Sequence, residues 1–361
     1  MIKKLHRRIL QGDVLKCIKK LPDNSIDCII TSPPYWAMRD YSHKQQIGLE
    51  PDFRDYVDKL VQVMEGLKPK LKNSGSIWVN LNDTYGKSGK GAGSAKGKSV
   101  FSFKTKPKTV NEVTQKSLTG IPQRFFIACI DKGWIARNYC IWHKPNPLPA
   151  SVTDRLNNVY EPLMFFTKAK KYYFDLDPIR IPSKDPNLPK RLNRHGKQET
   201  LEGKVIPAYS AKRKARLTNA TVEGTTLRNR NFSPILGYRK SMNISGQTPS
   251  GLSIGGHGLK ADDTPINHPK GKNPGDTILI PVKPDNTSHI AIFPLDLPLY
   301  IISCACPKNG LVFDPFMGSG TTAEAAELSK RQWAGIELNE NYINIAKKKL
   351  ARYKVKKLVK A

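Results

Sequence analysis

Residues 311–322 read LVFDPFMGSGTT, and this stretch decides the fold class. A short apolar run ends in Asp314, a turn holds Gly318 and Gly320, and TTAEAAELSK (321–330) then reads as a helix. Glycines let a backbone turn tightly and pass close to a ligand. The next apolar run, WAGIEL (333–338), is a second strand and sets Glu337 near its tip. Strand, glycine turn, helix, strand and terminal acid form a βαβ unit whose acid can accept hydrogen bonds from ribose hydroxyls. No Lys follows the glycines, so the loop is not built for a triphosphate, and the G-x-G-x-x-G spacing of NAD enzymes is absent.

Just upstream, FPLDLPLYIISCAC (293–306) is an apolar helix. At the other end of the chain, SIDCIIT (25–31) is brief and almost wholly apolar, like a buried parallel strand. FRDYVDKLVQVMEGLKPKL (53–71) spaces Phe53, Tyr56, Val57, Leu60, Val61, Met64 and Leu67 at helical period, and GSIWVNL (75–81) is another strand. Strand, helix, strand suggests a second βαβ unit. IPQRFFIACIDKGW reads as a helix ending at Lys132-Gly133, RNYCIWHKPNPLPA as a strand with a Pro-rich turn, and EPLMFFTKA (161–169) as a further strand.

Directly after the strand at 25–31 stands Ser32-Pro33-Pro34-Tyr35. Two prolines fix their own φ and remove two backbone donors. The turn is therefore rigid and rich in acceptors, namely the Ser32 hydroxyl and nearby carbonyls, with the flat ring of Tyr35 alongside. An amino group on a stacked base fits that geometry. A plain turn closing a strand fits it equally.

The whole chain of 361 residues has 60 Lys+Arg against 30 Asp+Glu, a net charge of +30. Such an excess points to a polyanionic partner, nucleic acid first and an anionic membrane second. No window approaches 18 uninterrupted apolar residues, so no transmembrane helix is expected. Two stretches interrupt the globular texture. Residues 86–117 are rich in Gly, Ser and Lys and read as a flexible basic loop, suited to a nucleic-acid backbone or simply to solvent. Residues 171–276 carry many Lys, Arg, Pro, Gly and Asn without a long periodic segment, and read as an irregular basic insertion. It separates 1–170 from 277–361, whose Lys-rich end leaves open whether the last helix continues.

The six cysteines show no Cys-x-x-Cys pair and mostly sit in apolar runs, which suits small core residues in a reducing cytoplasm rather than disulfides or zinc. His43, His143, His195, His257 and His268 show no metal spacing, so no metal is expected. Trp36, Trp78 and Trp142 suit core packing, whereas Lys144, Asn146 and Pro147 form a polar patch that could approach a substrate.

Taken together, TSPPY early and DPFMGSGTT late resemble the hallmark motifs of amino-group DNA methyltransferases, in the order of the β-class permutation. TSPPYWAMRDY, QIGLEPDFRDYV, IWHKPNPLPASVTDR, HIAIFPLDL and GIELNENYI look like further blocks of that family. The resemblance implies an α/β, Rossmann-like fold with a mixed, mostly parallel sheet, helices on both faces, and a target-recognition domain at 171–276. It implies S-adenosylmethionine as cofactor, wrapped by Asp314, Phe316, Gly318, Gly320 and Thr321, with Glu337 on the ribose. Asp13 would meet the adenine amino group, while His289, Phe293 and Pro294 would lie beside the methionine moiety. Ser32, Pro33, Pro34 and Tyr35 would bind a flipped target base in double-stranded DNA.

Ser before Pro-Pro-Tyr resembles cytosine-N4 enzymes, whereas Asp or Asn there resembles adenine-N6 enzymes. The expectation is a cytosine-N4 enzyme of a restriction-modification system, with a companion endonuclease, as monomer or homodimer in the cytoplasm. Adenine-N6 methylation, RNA methylation and non-catalytic DNA binding are the alternatives. Tyr160-Glu161 departs from the His-Glu often found in relatives, and no role is assigned there.

Overall fold

The computed structural model describes residues 5–37, 46–86, 113–147, 149–182, 197–199, 205–207, 268, 270–282 and 293–358. Most of the basic loop and of the basic insertion, and His289, His43, His195 and His257, lie outside the described residues. Two compact units are distinguished, one formed by Met1–Ile179 with Pro274–Ala361 and the other by Arg180–Asn273.

The larger unit is built on an eight-stranded sheet. Its strands are β1 (Arg8–Gln11), β2 (Ile26–Thr31), β3 (Leu71–Asn80), β4 (Ile135–His143), β5 (Tyr160–Thr167), β8 (Thr277–Leu279), β9 (Leu311–Asp314) and β10 (Gln332–Glu337). Their spatial order is β1-β10-β9-β2-β3-β5-β4-β8. Only β5 is antiparallel to its neighbours, so the sheet is mixed and mostly parallel, as expected. From β2 the chain steps one way to β3, and from β9 it steps the other way to β10. The order therefore reverses between β9 and β2, and in open α/β sheets such a reversal opens a crevice at the strands' carboxyl ends.

Side-chain alternation along the strands divides the core into two layers. Ile29, Ile77, Val79, Met164, Phe166 and Phe313 face α1 (Val14–Ile18), α2 (Phe53–Leu67) and α3 (Ile121–Asp131). Cys28, Ile30, Trp78, Leu163, Phe165 and Val312 face α4 (Asp296–Ala305), α5 (Thr321–Leu328) and α6 (Glu340–Leu358). Helices thus cover both faces. All six cysteines are free and buried, and Trp36, Trp78 and Trp142 are core residues, with Trp78 stacked on Phe165 at 4.1 Å.

Several boundaries differ from the sequence reading for local reasons. The helix starting at Phe53 stops at Leu67 and not 71, because Pro69 cannot continue it; Leu71 then opens β3, four residues before the expected strand. Helix α4 begins at Asp296 rather than at Phe293. Gly133 adopts φ +74° just after α3, the left-handed turn that favours glycine. Helix α6 carries the Lys-rich end onward to Leu358. Residues 171–179, assigned from texture to the insertion, run with the larger unit; Tyr172 and Phe174 pack their rings on Phe165.

Three contacts tie the two ends of the sequence together. The Arg7 guanidinium grips Glu327 through two bonds of 2.5 and 2.7 Å. Asp27 accepts the backbone N–H of Leu311 at 2.8 Å while its carboxylate pairs with Lys72. Thr31 donates its hydroxyl to Asp314 at 2.7 Å. Through these contacts β9, from near the end of the chain, is seated in the middle of the sheet. In the smaller unit, β6 (Lys197–Glu199) and β7 (Val205–Pro207) pair antiparallel, and Ile181 bridges Lys272.

Candidate active site

The crevice is lined first by the loop after β9. Asp314 is buried and accepts three hydrogen bonds, from Thr31 Oγ1 at 2.7 Å, Thr322 Oγ1 at 2.7 Å and the Phe316 N–H at 3.0 Å. Burial nonetheless pushes its pKa up, to about 6; the two threonine hydroxyls and the Phe316 N–H pull the other way, and the nearby charge of Glu337 adds to the rise.

Gly318 and Gly320 both have positive φ, +51° and +83°. A Cβ on Gly320 would stand 3.1 Å from Ala346 Cβ and 3.2 Å from Met317 Cε, so the turn needs glycine both for its φ and for its space. Thr321 opens α5, and its buried hydroxyl has no hydrogen-bond partner. Glu337, at the tip of β10, accepts the N–H of Gly318 at 2.7 Å and of Asn339 at 2.8 Å. Burial raises its pKa as well. A carboxylate has about four acceptor positions, so Glu337 both shapes the glycine turn and keeps capacity for a hydroxyl.

Asp13 lies next to this acid. Gln11 is the register partner of Glu337, and the Gly12 N–H donates to the Glu337 carbonyl at 3.0 Å. Asp13 Oδ1 caps α1 by accepting the Lys16 N–H at 2.9 Å. An orphaned buried hydroxyl, a glycine turn that a Cβ would fill, and acids at adjacent strand ends suit a nucleoside-bearing cofactor.

Across the crevice, Ser32-Pro33-Pro34-Tyr35 continues from β2, one residue beyond the Thr31–Asp314 bond. The turn has its own scaffold. Tyr56, on α2, donates to the Pro34 carbonyl at 2.7 Å. Gly48 approaches closely; a Cβ there would be 3.3 Å from the carbonyl oxygens of both Pro34 and Tyr35. Glu50, itself buried, accepts the Gly48 N–H at 2.7 Å and pairs with Lys59. Trp36 Nε1 donates to the Glu50 carbonyl at 2.8 Å.

The hydroxyl of Tyr35 points into the protein. It lies 2.7 Å from Glu161 Oε2 and 3.1 Å from Asn80 Oδ1, and Ser32 Oγ donates to it at 3.4 Å. Glu161 is buried on β5 and its other oxygen pairs with Lys144. Burial, and then the charge of Glu161, push the Tyr35 phenol pKa well up, so it keeps its proton.

The structure thus gathers Asp13, Asp314, Phe316, Gly318, Gly320, Thr321, Glu337 and Ser32 through Tyr35 at one edge of the sheet. Phe293 and Pro294 immediately precede α4, Phe293 packed on the second core layer and Pro294 buried. His289 lies outside the described residues.

The polar patch at 144–147 splits in two. Asn146 is a clip, exchanging hydrogen bonds with the backbone of Val282 at 2.8 and 2.9 Å. Lys144 instead serves Glu161. Sequence reasoning missed Thr31, Tyr56, Asn80 and Glu161. Only Glu161 left a trace, as the matching half of a Tyr160-Glu161 pair whose first residue departs from the family's His-Glu, because the others act through partners distant in the sequence. Among the described residues, no group of three or more His, Cys, Asp or Glu is placed to hold a metal, and no helix is long and apolar enough to cross a membrane.

Comparison with known proteins agrees with this geometry. Residues 26–348 match the DNA methylase family. The chain is 33% identical to the Type II methyltransferase M.SfiI of Streptomyces fimbriatus, covering 92% of this chain and 88% of that one. It is 28% identical to M.SmaI of Serratia marcescens, over 96% and 91% of the two chains. In structure it is similar to the PvuII DNA methyltransferase (cytosine-N4-specific), with a TM-score of 0.53 at 17% identity, covering 96% and 89%.

Proposed function

The chain belongs to the DNA methylase family, and from that premise we propose that it methylates the exocyclic N4 amino group of cytosine in a short DNA sequence. It is a DNA methyltransferase of the Type II, restriction-modification kind, and its cofactor is S-adenosylmethionine. The observation that carries the finer reading is the Thr31–Asp314 bond at the sheet's reversal point. It joins the ends of two neighbouring parallel strands, one running on into the Ser-Pro-Pro-Tyr turn and the other into the glycine loop. The choice of base rests on Ser32, and is supported by the cytosine-N4 specificity of the PvuII enzyme, whose fold this chain shares.

An exocyclic amine is a poor nucleophile because its lone pair is delocalised into the ring. The cofactor supplies an electrophilic methyl group on sulfonium sulfur. Ser32 Oγ and the Pro33 carbonyl accept the amine's N–H groups and favour a more tetrahedral nitrogen. The Pro34 carbonyl is already engaged by Tyr56, which leaves Pro33 as the backbone acceptor. Such fixed acceptors stabilise the positive charge that grows on nitrogen, and holding the amine in line supplies much of the rate. Asp314, Gly318, Gly320, Thr321 and Glu337 would hold the cofactor, together with Asp13, Phe293 and Pro294. The unit at 180–273 reads the target sequence, and the net charge of +30 serves phosphate contacts. A companion endonuclease cuts the same site when it is unmethylated.

Nucleoside mass spectrometry of DNA incubated with the protein and labelled S-adenosylmethionine tests this. Labelled N4-methylcytosine is expected, and Ser32→Ala should abolish it. Labelled N6-methyladenine would overturn the choice of base while leaving the cradle and the turn in their roles.

A further inference from the structure

Lys144, Glu161, Tyr35 and Ser32 form one series of polar contacts leading out of the protein to the base-binding turn, with Asn80 as a side branch at Tyr35. Its direction is set by counting protons. A phenol has a single proton, and two acceptors flank it. Glu161 is the closer at 2.7 Å and is salt-bridged to Lys144, while Asn80 stands at 3.1 Å. Asn80 cannot turn its amide around without losing its bond to the Pro162 carbonyl, made by Nδ2 at 3.1 Å. The phenol proton therefore belongs to Glu161, since the shorter bond, to a salt-bridged carboxylate, is stronger than one to an amide oxygen. The phenol oxygen then offers Ser32 only lone pairs.

We propose that Lys144, Glu161 and Tyr35 act as a polarised relay that fixes the rotor of Ser32, so that Ser32 Oγ meets the target amine solely as an acceptor. This rests on the reading that the chain methylates an exocyclic amine. A free serine hydroxyl rotates and serves as donor or acceptor. As a donor it would place its proton on the amine's lone pair, the pair that must attack the methyl group. The relay removes that unproductive arrangement by giving the Ser32 proton a buried destination. At 3.4 Å the Ser32–Tyr35 bond is long, and catalytic bonds of this sort tighten when substrate is bound. Tyr35 thus has two tasks, its ring against the base and its oxygen against Ser32. Glu161 and Lys144 are positioning residues.

Four proteins decide the matter: wild type, Tyr35→Phe, Glu161→Gln and the double variant. For each, single-turnover methyl transfer, DNA KM, S-adenosylmethionine affinity and melting temperature are measured. Tyr35→Phe keeps the ring, so its DNA KM and cofactor affinity should stay within about twofold of wild type while the transfer rate falls about 10- to 100-fold. Glu161→Gln should give a similar fall, and the double variant should be no slower than the slower single variant, since both cut the same relay.

A wild-type rate in Tyr35→Phe, or losses that multiply in the double variant, would overturn the relay. Because Glu161→Gln strands the Lys144 charge and can loosen the fold, Tyr35→Phe alone is decisive. Absence of methyl transfer to DNA by the wild type would instead sink the proposed function, and the two failures are distinct.

Discussion

Replacing Asp314 by Asn should change how the stability of the protein depends on pH, with a predictable sign. Asp314 is 3% exposed and makes three hydrogen bonds. Its folded-state pKa of about 6 lies above the ordinary 3.8, because burial outweighs the donors that favour the ionised form. A group whose folded pKa is raised contributes stability that is fully present below the unfolded value and is lost as pH rises through the folded one. The window is therefore about pH 4 to 7. At about 1.36 kcal/mol for each pH unit between the two pKa values, the loss amounts to about 3 kcal/mol.

Asn mimics the protonated acid. Its Oδ1 can still accept from Thr31 and Phe316, and its Nδ2 can donate to Thr322 Oγ1. Relative to wild type, the variant should therefore gain about 3 kcal/mol as pH is raised from about 4 to 7. Urea unfolding of both proteins at several pH values measures this, with circular dichroism and tryptophan fluorescence required to coincide, since a chain of two units need not unfold in one step. A gap that does not change with pH would refute the reasoning. So would a gap that closes as pH rises, since it would mean that the threonine hydroxyls stabilise the carboxylate by more than burial costs it.

Two further variants probe the cradle and the turn. Gly320→Ala forces an L residue to φ +83° with its Cβ against Ala346 and Met317, at a cost of about 1–2 kcal/mol, so calorimetry should find S-adenosylmethionine binding about 5- to 30-fold weaker. Tyr56→Phe releases the Pro34 carbonyl and loosens the base-binding turn. Transfer rates should fall about tenfold with cofactor affinity unchanged, and an unchanged rate would show that the prolines hold the turn unaided.

The most legible parts of this molecule in the sequence were those fixed by local chemistry. The Asp314-to-Thr322 loop announces itself because glycine, an acid and a helix start must follow one another in the chain. The helix from Phe53 to Leu67 shows in its spacing, and the strand at Ile26–Thr31 in a short, mostly apolar, β-branched run. What lay hidden depends on strand order. β1, at Arg8–Gln11, has only two apolar residues, Ile9 and Leu10, and gains its identity from pairing with β10. β8 is three residues long and is defined by β4. The antiparallel β3–β5 register brings Asn80 opposite Leu163, and the β4–β5 register places Trp142 opposite Glu161, just ahead of Lys144. Glu161 drew notice only through the unusual Tyr160 beside it, and not as the partner of a tyrosine 126 residues away. The clip made by Asn146 was hidden for the same reason, because its partner, Val282, lies 136 residues on.

The seating of β9 beside β2 also bears on how this protein comes off the ribosome. Synthesis runs from the amino end, and domains generally fold as they emerge. Here β2 has no neighbour on one side until Leu311–Asp314 has been made. Throughout that interval the nascent chain presents a bare, mostly apolar strand edge, the kind of surface that recruits unwanted partners. Contacts spanning some 280 residues, such as Thr31–Asp314 and Asp27–Leu311, must close last, and long-range closure is slow. Truncated or stalled products would thus lack both the cradle and a finished sheet, so that no partial translation product can carry the activity. The cell would acquire this activity only when the last sixth of the polypeptide has been delivered, and chaperone capacity during the wait would set its yield.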